Sequence, residues 1–456
     1  MKNFYNAFRL FPLLCFILLS GCEKDPIISN DGVNGFIHDN FRTYYLWNGN
    51  VVKPGAGEDP FSYFRRLKDM NDPWSLLTDN YGGLNGSMNN TGLNTGMSLV
   101  FGSLDEYTDK LFAVVEFVYK NTPAYRAGIR RGDIIGDINR SPIKESNYGQ
   151  LYYGTDLSFD ICYMEGYNLV AKDRVHISAE EVYLDPIIET KVITAVGSPK
   201  KTGYIFFSDY VDACHEALIR AFADFKAQGA TEIVLDLRSN PGGAVATVEL
   251  LCSILAPSQV IANRSLMIKE LWNDDYMALL EEAGRLDSNT KIYFDPNVAV
   301  NMDLDKIYIL TSERSASASE MTIIALQPYM DVKIVGRPTT GKYCGGMIFP
   351  NKNRGYANWG MYLITFSYAN SVGFTGFRNG LYPTTGFEAR ENRLNMYPLG
   401  DESDPLLHAA LKDIYPGEFT LAPASGEVNE IKFITRDKMN QRPTNPGILF
   451  CDEVPF

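Results

Sequence analysis

The chain holds four histidines in 456 residues, and none of them sits in a His-Glu-x-x-His pair. Cys-x-x-Cys pairs are missing too, so the ligand spacings of the familiar zinc sites do not occur and a zinc enzyme is not expected. Basic runs are also absent. Lys and Arg number 42 against 55 Asp and Glu, a net charge of −13, which removes the electrostatic footprint of a nucleic-acid binder. Beyond residue 22 five cysteines remain, Cys162, Cys214, Cys252, Cys344 and Cys451. They are scattered and odd in number, which excludes a disulfide framework and reads as buried thiols. No stretch past residue 22 approaches 18 apolar residues, so no permanent membrane helix is expected there. The 45% apolar and 21% charged composition is that of a globular chain. At about 150 residues per domain, its length predicts roughly three domains.

What is present begins with an address. Lys2 and Arg9 precede an apolar run from Leu10 to Leu19, which is too short to span a bilayer. Leu19-Ser20-Gly21-Cys22 follows and resembles the lipobox of bacterial lipoproteins. The resemblance implies cleavage before Cys22, acylation of its sulfur, and a membrane-anchored, extracytoplasmic mature chain on the periplasmic face or the cell surface. Residues 1–22 are then the signal peptide. Residues 23–88 read as a helical cap and linker. Phe36, Phe41, Tyr44, Tyr45 and Trp47 allow one amphipathic helix, and Asp59-Pro60 followed by Phe61, Phe64 and Leu67 predicts a second with Pro in its first turn. The Gly- and Asn-rich stretch 79–96 reads as a flexible connection.

Residues 89–195 have a different texture. Strands are expected at Ser98–Phe101 and Phe112–Val115. Pro123-Ala124 opens a one-turn helix that Gly128 can stop, and Gly132-Asp133 turns into a strand at Ile134. The run Pro123-Ala124…Ala127-Gly128-Ile129-Arg130-Arg131-Gly132-Asp133-Ile134…Ile138-Asn139 resembles the heart of a PDZ domain. That resemblance implies capture of a peptide's terminal carboxylate in a backbone nest, with the peptide added as a strand. The matching loop is Gly96-Met97-Ser98-Leu99, which makes Met97, Ser98 and Leu99 the candidate peptide-binding residues.

Strand and helix alternate from residue 203 onward. A strand at Tyr204–Phe207 leads to a helix over His215–Ala227. A buried strand at Glu232–Arg238 runs into the turn Ser239-Asn240-Pro241-Gly242-Gly243 and a helix over Ala244–Leu255. The turn presents N–H groups at a helix N-terminus, which serves an oxyanion, a phosphate, or merely a tight turn. A strand at Lys306–Thr311 precedes Ser315-Ala316-Ser317-Ala318-Ser319-Glu320 and an apolar helix; on its own, Ser317-x-x-Glu320 is a capping box. Asp331–Val335 runs into Gly336-Arg337-Pro338-Thr339-Thr340-Gly341-Lys342. Residues 357–378 predict a further strand pair. Ser198–Gly203 and Ser141–Lys144 mimic penicillin-binding motifs, but they are too local to build two walls of one site.

Taken together, the segments 236–243, 315–320 and 336–342 resemble the C-terminal-processing (tail-specific) serine peptidases, as do 379–384 and 399–405. The resemblance covers roughly residues 90–415. It implies an α/β fold: a Clp protease/crotonase-like spiral of β-β-α units over 196–415, with a PDZ-like domain, the small helical N-terminal cap, and a tail at 416–456. It also implies Ser317 as nucleophile and Lys342 as base, acting on polypeptides without a cofactor. Such a lysine must shed its proton although its ordinary pKa is about 10.4, which burial promotes. The oxyanion would meet the N–H groups of Ala318 and of Gly242 or Gly243. Many family members orient the lysine with a glutamine four residues later; here that position is Gly346, so Thr339, Thr340 or a distant side chain is expected to substitute. Two other functions compete: an inactive, PDZ-containing peptide-binding lipoprotein, and an acyl-CoA enzyme on the shared crotonase fold, which a secretion signal and a Ser/Lys pair oppose.

Overall fold

A computed structural model describes residues 30–103, 110–166, 168–419, 432–433 and 450–451. The leader with Cys22, and nearly all of the tail, lie outside the described residues.

The N-terminal segment forms the two expected helices, Asn30–Tyr44 and Pro60–Leu67. Val33, Ile37 and Phe41 recur every four residues and are fully buried, so they form one face. Asp59 caps the second helix, its carboxylate accepting from Ser62 N at 2.9 Å, and Pro60 occupies the first turn, where its missing N–H costs nothing. The stretch expected as a flexible connection is instead ordered: helix Tyr81–Met88 followed by strand Thr91–Asn94. Asn80 Oδ1 accepts from Gly83 N at 3.0 Å, and Leu84 and Met88, four apart, bury into the core. A good cap and two apolar residues override three glycines.

A five-stranded sheet runs Ile187–Thr194, Lys201–Phe207, Glu232–Asp236, Lys306–Thr311, Asp331–Gly336. The first pair is antiparallel and the other three are parallel. Parallel strands end on the same edge, so the turns after Asp236, Thr311 and Gly336 emerge side by side, where open α/β sheets place their ligands. Helices His215–Ala227, Val245–Leu255 and Ala318–Leu326 share one core with the N-terminal helices, and all nine residues of Ala318–Leu326 are buried. A second, six-stranded sheet centres on Gly360–Asn370. The strand pair expected within 357–378 is one strand, whose antiparallel neighbours are Cys344–Pro350, Leu266–Trp272 and Leu76–Thr78. A third, antiparallel sheet holds Met97–Ser103, Leu111–Val118, Ile134–Ile138, Asp156–Glu165 and Asn168–Ser178 around its own core of Leu99, Phe101, Val115, Ile135 and Phe159. Its one-turn helix Pro123–Arg126 stops at Gly128, φ +85°.

Just past strand Glu232–Asp236, the buried Arg238 guanidinium grips Asp404 through two hydrogen bonds of 2.6 and 2.8 Å, Asp236 at 2.9 Å and Glu391 at 3.0 Å. Asp404 in turn caps helix Pro405–Ile414 through Leu406 N and Leu407 N. Burial would raise the Asp404 carboxyl, but the Arg238 charge and its hydrogen bonds prevail and hold it below the usual carboxylate range. Stability from this pairing is therefore present above the unfolded carboxyl value near 3.9 and lost as pH falls through the depressed folded one. Arg238→Ala leaves buried carboxylates without their cation and should cost about 3–5 kcal/mol at neutral pH in chemical denaturation. That deficit should shrink below about pH 4, as the wild type loses the same interaction.

Candidate active site

Three turns meet at the sheet's edge. In the first, Asn240 fixes the glycine turn: its Nδ2 donates to Phe207 O at 3.0 Å and its Oδ1 accepts from Gly242 N at 2.8 Å. Gly242 and Gly243 have φ +109° and +143°. A Cβ on Gly242 would stand 2.7 Å from Ser317 Cβ, and one on Gly243 would stand 2.0 Å from Tyr210 O. Only glycine lets the first turn press against the second.

Ser317 opens helix Ala318–Leu326 with φ +63° and ψ −112°, a conformation that L side chains rarely adopt. Its hydroxyl is fully buried and makes no hydrogen bond among the described residues. Glu320 Oε2 accepts from Ser317 N at 2.8 Å, the glutamate half of the capping-box pattern. Such an orphaned buried hydroxyl at a strained position calls for an explanation beyond capping.

Glu320 reaches further. Its carboxylate also accepts from Lys342 N at 2.9 Å, Gly341 N at 2.5 Å and Thr339 Oγ1 at 2.5 Å. It therefore stitches the serine turn to the loop that carries the lysine. Burial pushes the Glu320 carboxyl up, and these four donors pull it back. Tyr368, from strand Gly360–Asn370, adds a second tie: its hydroxyl lies 2.8 Å from Lys342 O and 3.2 Å from Ser317 O. Burial holds that phenol well above its ordinary pKa, so it is a donor.

Lys342 is 1% exposed. Its Nζ lies 5.4 Å from the Tyr362 ring centroid and 5.6 Å from that of Trp74. Thr339 and Thr340 do not face it through any described hydrogen bond: Thr339 is spent on Glu320, and Thr340 Oγ1 on Glu313 O. Gly346 sits at a bulge in strand Cys344–Pro350, where a Cβ would fall 2.1 Å from Leu363 O. Cys344 beside it is a buried thiol pushed up to about 12 by burial, which makes it a poor nucleophile at neutral pH.

The sequence-derived site residues thus fall into two places. Ser317, Ala318, Gly242, Gly243 and Lys342 converge. Met97, Ser98 and Leu99 lie apart, buried in the third sheet. They connect to the first group through Glu116: its carboxylate accepts from Ser98 Oγ at 2.9 Å and Ser239 Oγ at 3.3 Å, and pairs with Arg314 at 3.1 Å. Sequence reasoning missed Trp74, Tyr362 and Tyr368, and it gave Glu320 only a capping role. The capping pattern was the one available signal for Glu320; nothing marks which aromatic of a strand or loop faces the lysine.

Two variants test this geometry. Glu320→Gln replaces half of the acceptor with an amide donor, strands buried N–H groups, and should cost on the order of 2–4 kcal/mol in denaturant unfolding. Gly346→Gln restores the residue implied by the family resemblance, yet it should lower the thermal midpoint, because the strand has no room for the side chain.

Residues 201–385 match the model for Peptidase family S41. Carboxyl-terminal-processing peptidase 3, chloroplastic, of Arabidopsis thaliana is 26% identical over 238 residues, 50% of this chain and 42% of that protein. The "Probable CtpA-like serine protease" of Staphylococcus aureus (strain bovine RF122 / ET3-1) is 29% identical over 235 residues, 49% of this chain and 40% of that protein. The chain thus spans about two fifths of the length of these curated relatives. A crystal structure from Bacteroides fragilis NCTC 9343, assigned to the S41 proteases, shares the fold with a TM-score of 0.68 at 24% identity, covering 83% of this chain and 96% of that one. A photosystem II D1 C-terminal processing protease superposes with a TM-score of 0.50 at 16% identity, covering 84% and 100%. The match to peptidase family S41 spans residues 201–385, the segment that contains the glycine turn, Ser317 and Lys342.

Proposed function

We propose that the protein is a serine endopeptidase in which Ser317 is the nucleophile and Lys342 its general base. The observation that supports this reading is the Ser317 hydroxyl, buried and without a hydrogen bond among the described residues on a strained strand-to-helix turn. Lys342 is tied to that turn through Glu320. In the reaction, the Lys342 amine takes the Ser317 proton as Oγ attacks a peptide carbonyl. The same amine then protonates the leaving nitrogen, and water clears the acyl-enzyme. The developing oxyanion meets the N–H of Ala318 at the helix start and that of Gly243, since Gly242 N already donates to Asn240.

The strands around 196–415 are the spiral β-β-α unit of this reading, and the third sheet is its PDZ-like domain. Met97–Leu99 then receives a polypeptide's C-terminus, and Glu116 carries that event to Ser239 and Arg314 beside the catalytic turns. Among the described residues no helix is long and apolar enough to cross a membrane; attachment through lipid on Cys22, with the enzyme outside the cytoplasm, completes the proposal. The enclosure of Ser317 and Lys342, 0% and 1% exposed, also fits a second reading, a closed peptide-binding scaffold without turnover. A fluorophosphonate probe separates the two. Covalent labelling of the wild-type chain that disappears in Ser317→Ala is expected of the peptidase; an unlabelled wild type, with or without added peptide, leaves the scaffold.

A further inference from the structure

Few loops are fastened as heavily as residues 68–75. Asp72 is buried, and its Oδ1 accepts from Trp74 N at 3.0 Å and Ser75 N at 2.8 Å while its Oδ2 accepts from Tyr45 OH at 2.9 Å. Lys68 Nζ donates to Ser75 O at 2.8 Å. Ser75 Oγ accepts from Ile364 N at 2.9 Å, two residues beyond Tyr362 on the strand that floors the site. The side chain this loop delivers is the half-buried Trp74, whose ring stands 5.6 Å from Lys342 Nζ, with Tyr362 at 5.4 Å. Trp74 meets Tyr343 edge-on, 6.2 Å between centroids, and the Arg378 guanidinium stacks on Tyr343 at 4.2 Å. The place where the family resemblance expects an orienting glutamine is closed by Leu363 O.

From this arrangement we infer that Trp74 is a positioning residue for Lys342, clamping its amine against Tyr362 in the role a glutamine at position 346 would have filled. The inference rests on the reading of Lys342 as the base. Both parts of an aromatic ring matter. Its apolar body keeps water from the amine, which favours the neutral form, and its face attracts the ammonium that exists between the two proton transfers. The clamp works among several titratable and charged groups. Glu320 lies on the helix that follows Ser317 and Asp72 on the clamp's own loop. Tyr343 and Cys344 begin the strand after Lys342, Tyr362 and Tyr368 lie on the central strand, and Arg378 lies on the loop after it. Of these, Tyr343 also touches the Trp74 ring, and Trp74→Phe, which keeps a ring there, is the control for that contact.

The test is the rate of fluorophosphonate capture by Ser317 as a function of pH, measured on the full chain. Trp74→Phe keeps a ring and should stay within about twofold of wild type across the profile. Trp74→Leu keeps the apolar wall but loses the face, so the ammonium is disfavoured and the rising limb should move to lower pH by about half a unit to one unit. Trp74→Ala admits water, so the limb should move to higher pH and the rate at neutral pH should fall by about tenfold. A purely structural tryptophan would slow Leu and Ala together without moving the limb in opposite directions, and superimposable limbs overturn the proposal. Should Trp74→Ala fail to fold, the Phe and Leu profiles still decide. Lys342→Ala separates the two readings: capture at the wild-type rate there would sink the base assignment itself, whereas a silent Lys342→Ala with unmoved Trp74 limbs would sink the clamp alone.

Discussion

A single buried carboxylate holds the site together. Glu320 stands in the first turn of a helix with no exposed residue, and it accepts from donors on either side of the gap between the serine turn and the lysine loop. Such a group is costly to bury; four donors and the positive end of its own helix make the position tolerable. The arrangement also depends on topology. The two loops leave neighbouring parallel strands, Lys306–Thr311 and Asp331–Gly336, whose register sets Thr311 against Gly336. Without that shared edge, no side chain as short as glutamate could touch both.

The alternation of strand and helix past residue 203 was legible because each element carries its own period and its own punctuation, down to the glycines at 242 and 243. Those glycines are required by distance as well as by φ, and a sequence shows only the second kind of requirement. The Gly- and Asn-rich stretch 79–96 misled for the complementary reason. Its glycines advertise freedom, while the residues that remove it, Asn80 as cap and Leu84 and Met88 as anchors, are ordinary. Glu320 and Trp74 were in plain view but assigned to local tasks, one to a capping box and one to a hydrophobic cap. Glu320's wider role comes from donors 19, 21 and 22 residues further on, and Trp74's from a lysine on a distant loop, and neither contact shows in a local pattern.

Glu116 links two parts of the chain that have separate cores. It lies on the third sheet, yet its carboxylate is shared by Ser98 from that sheet and by Ser239 and Arg314 from the turns beside Ser317. Arg131 extends the linkage, bonding Glu116 O and Tyr397 O and pairing with Glu391, which also meets Arg238. Because these charges are shielded from water, a displacement of the third sheet would reach the turns of Ser239 and Arg314 as a change in paired charge rather than as a soft surface contact.

The N-terminal helices share their core with Met361, Tyr362 and Leu363, and Leu46 N is bonded to Ile364 O at 3.0 Å. A chain made from its amino end therefore carries its first helices for most of synthesis before the strand they rest on exists. Contacts of such long sequence separation close late. Trp74 and the loop around it consequently reach the lysine only after nearly the whole molecule has been threaded. A nascent or truncated fragment that stops short of strand Gly360–Asn370 holds the Ser317 turn without the floor and wall that enclose it.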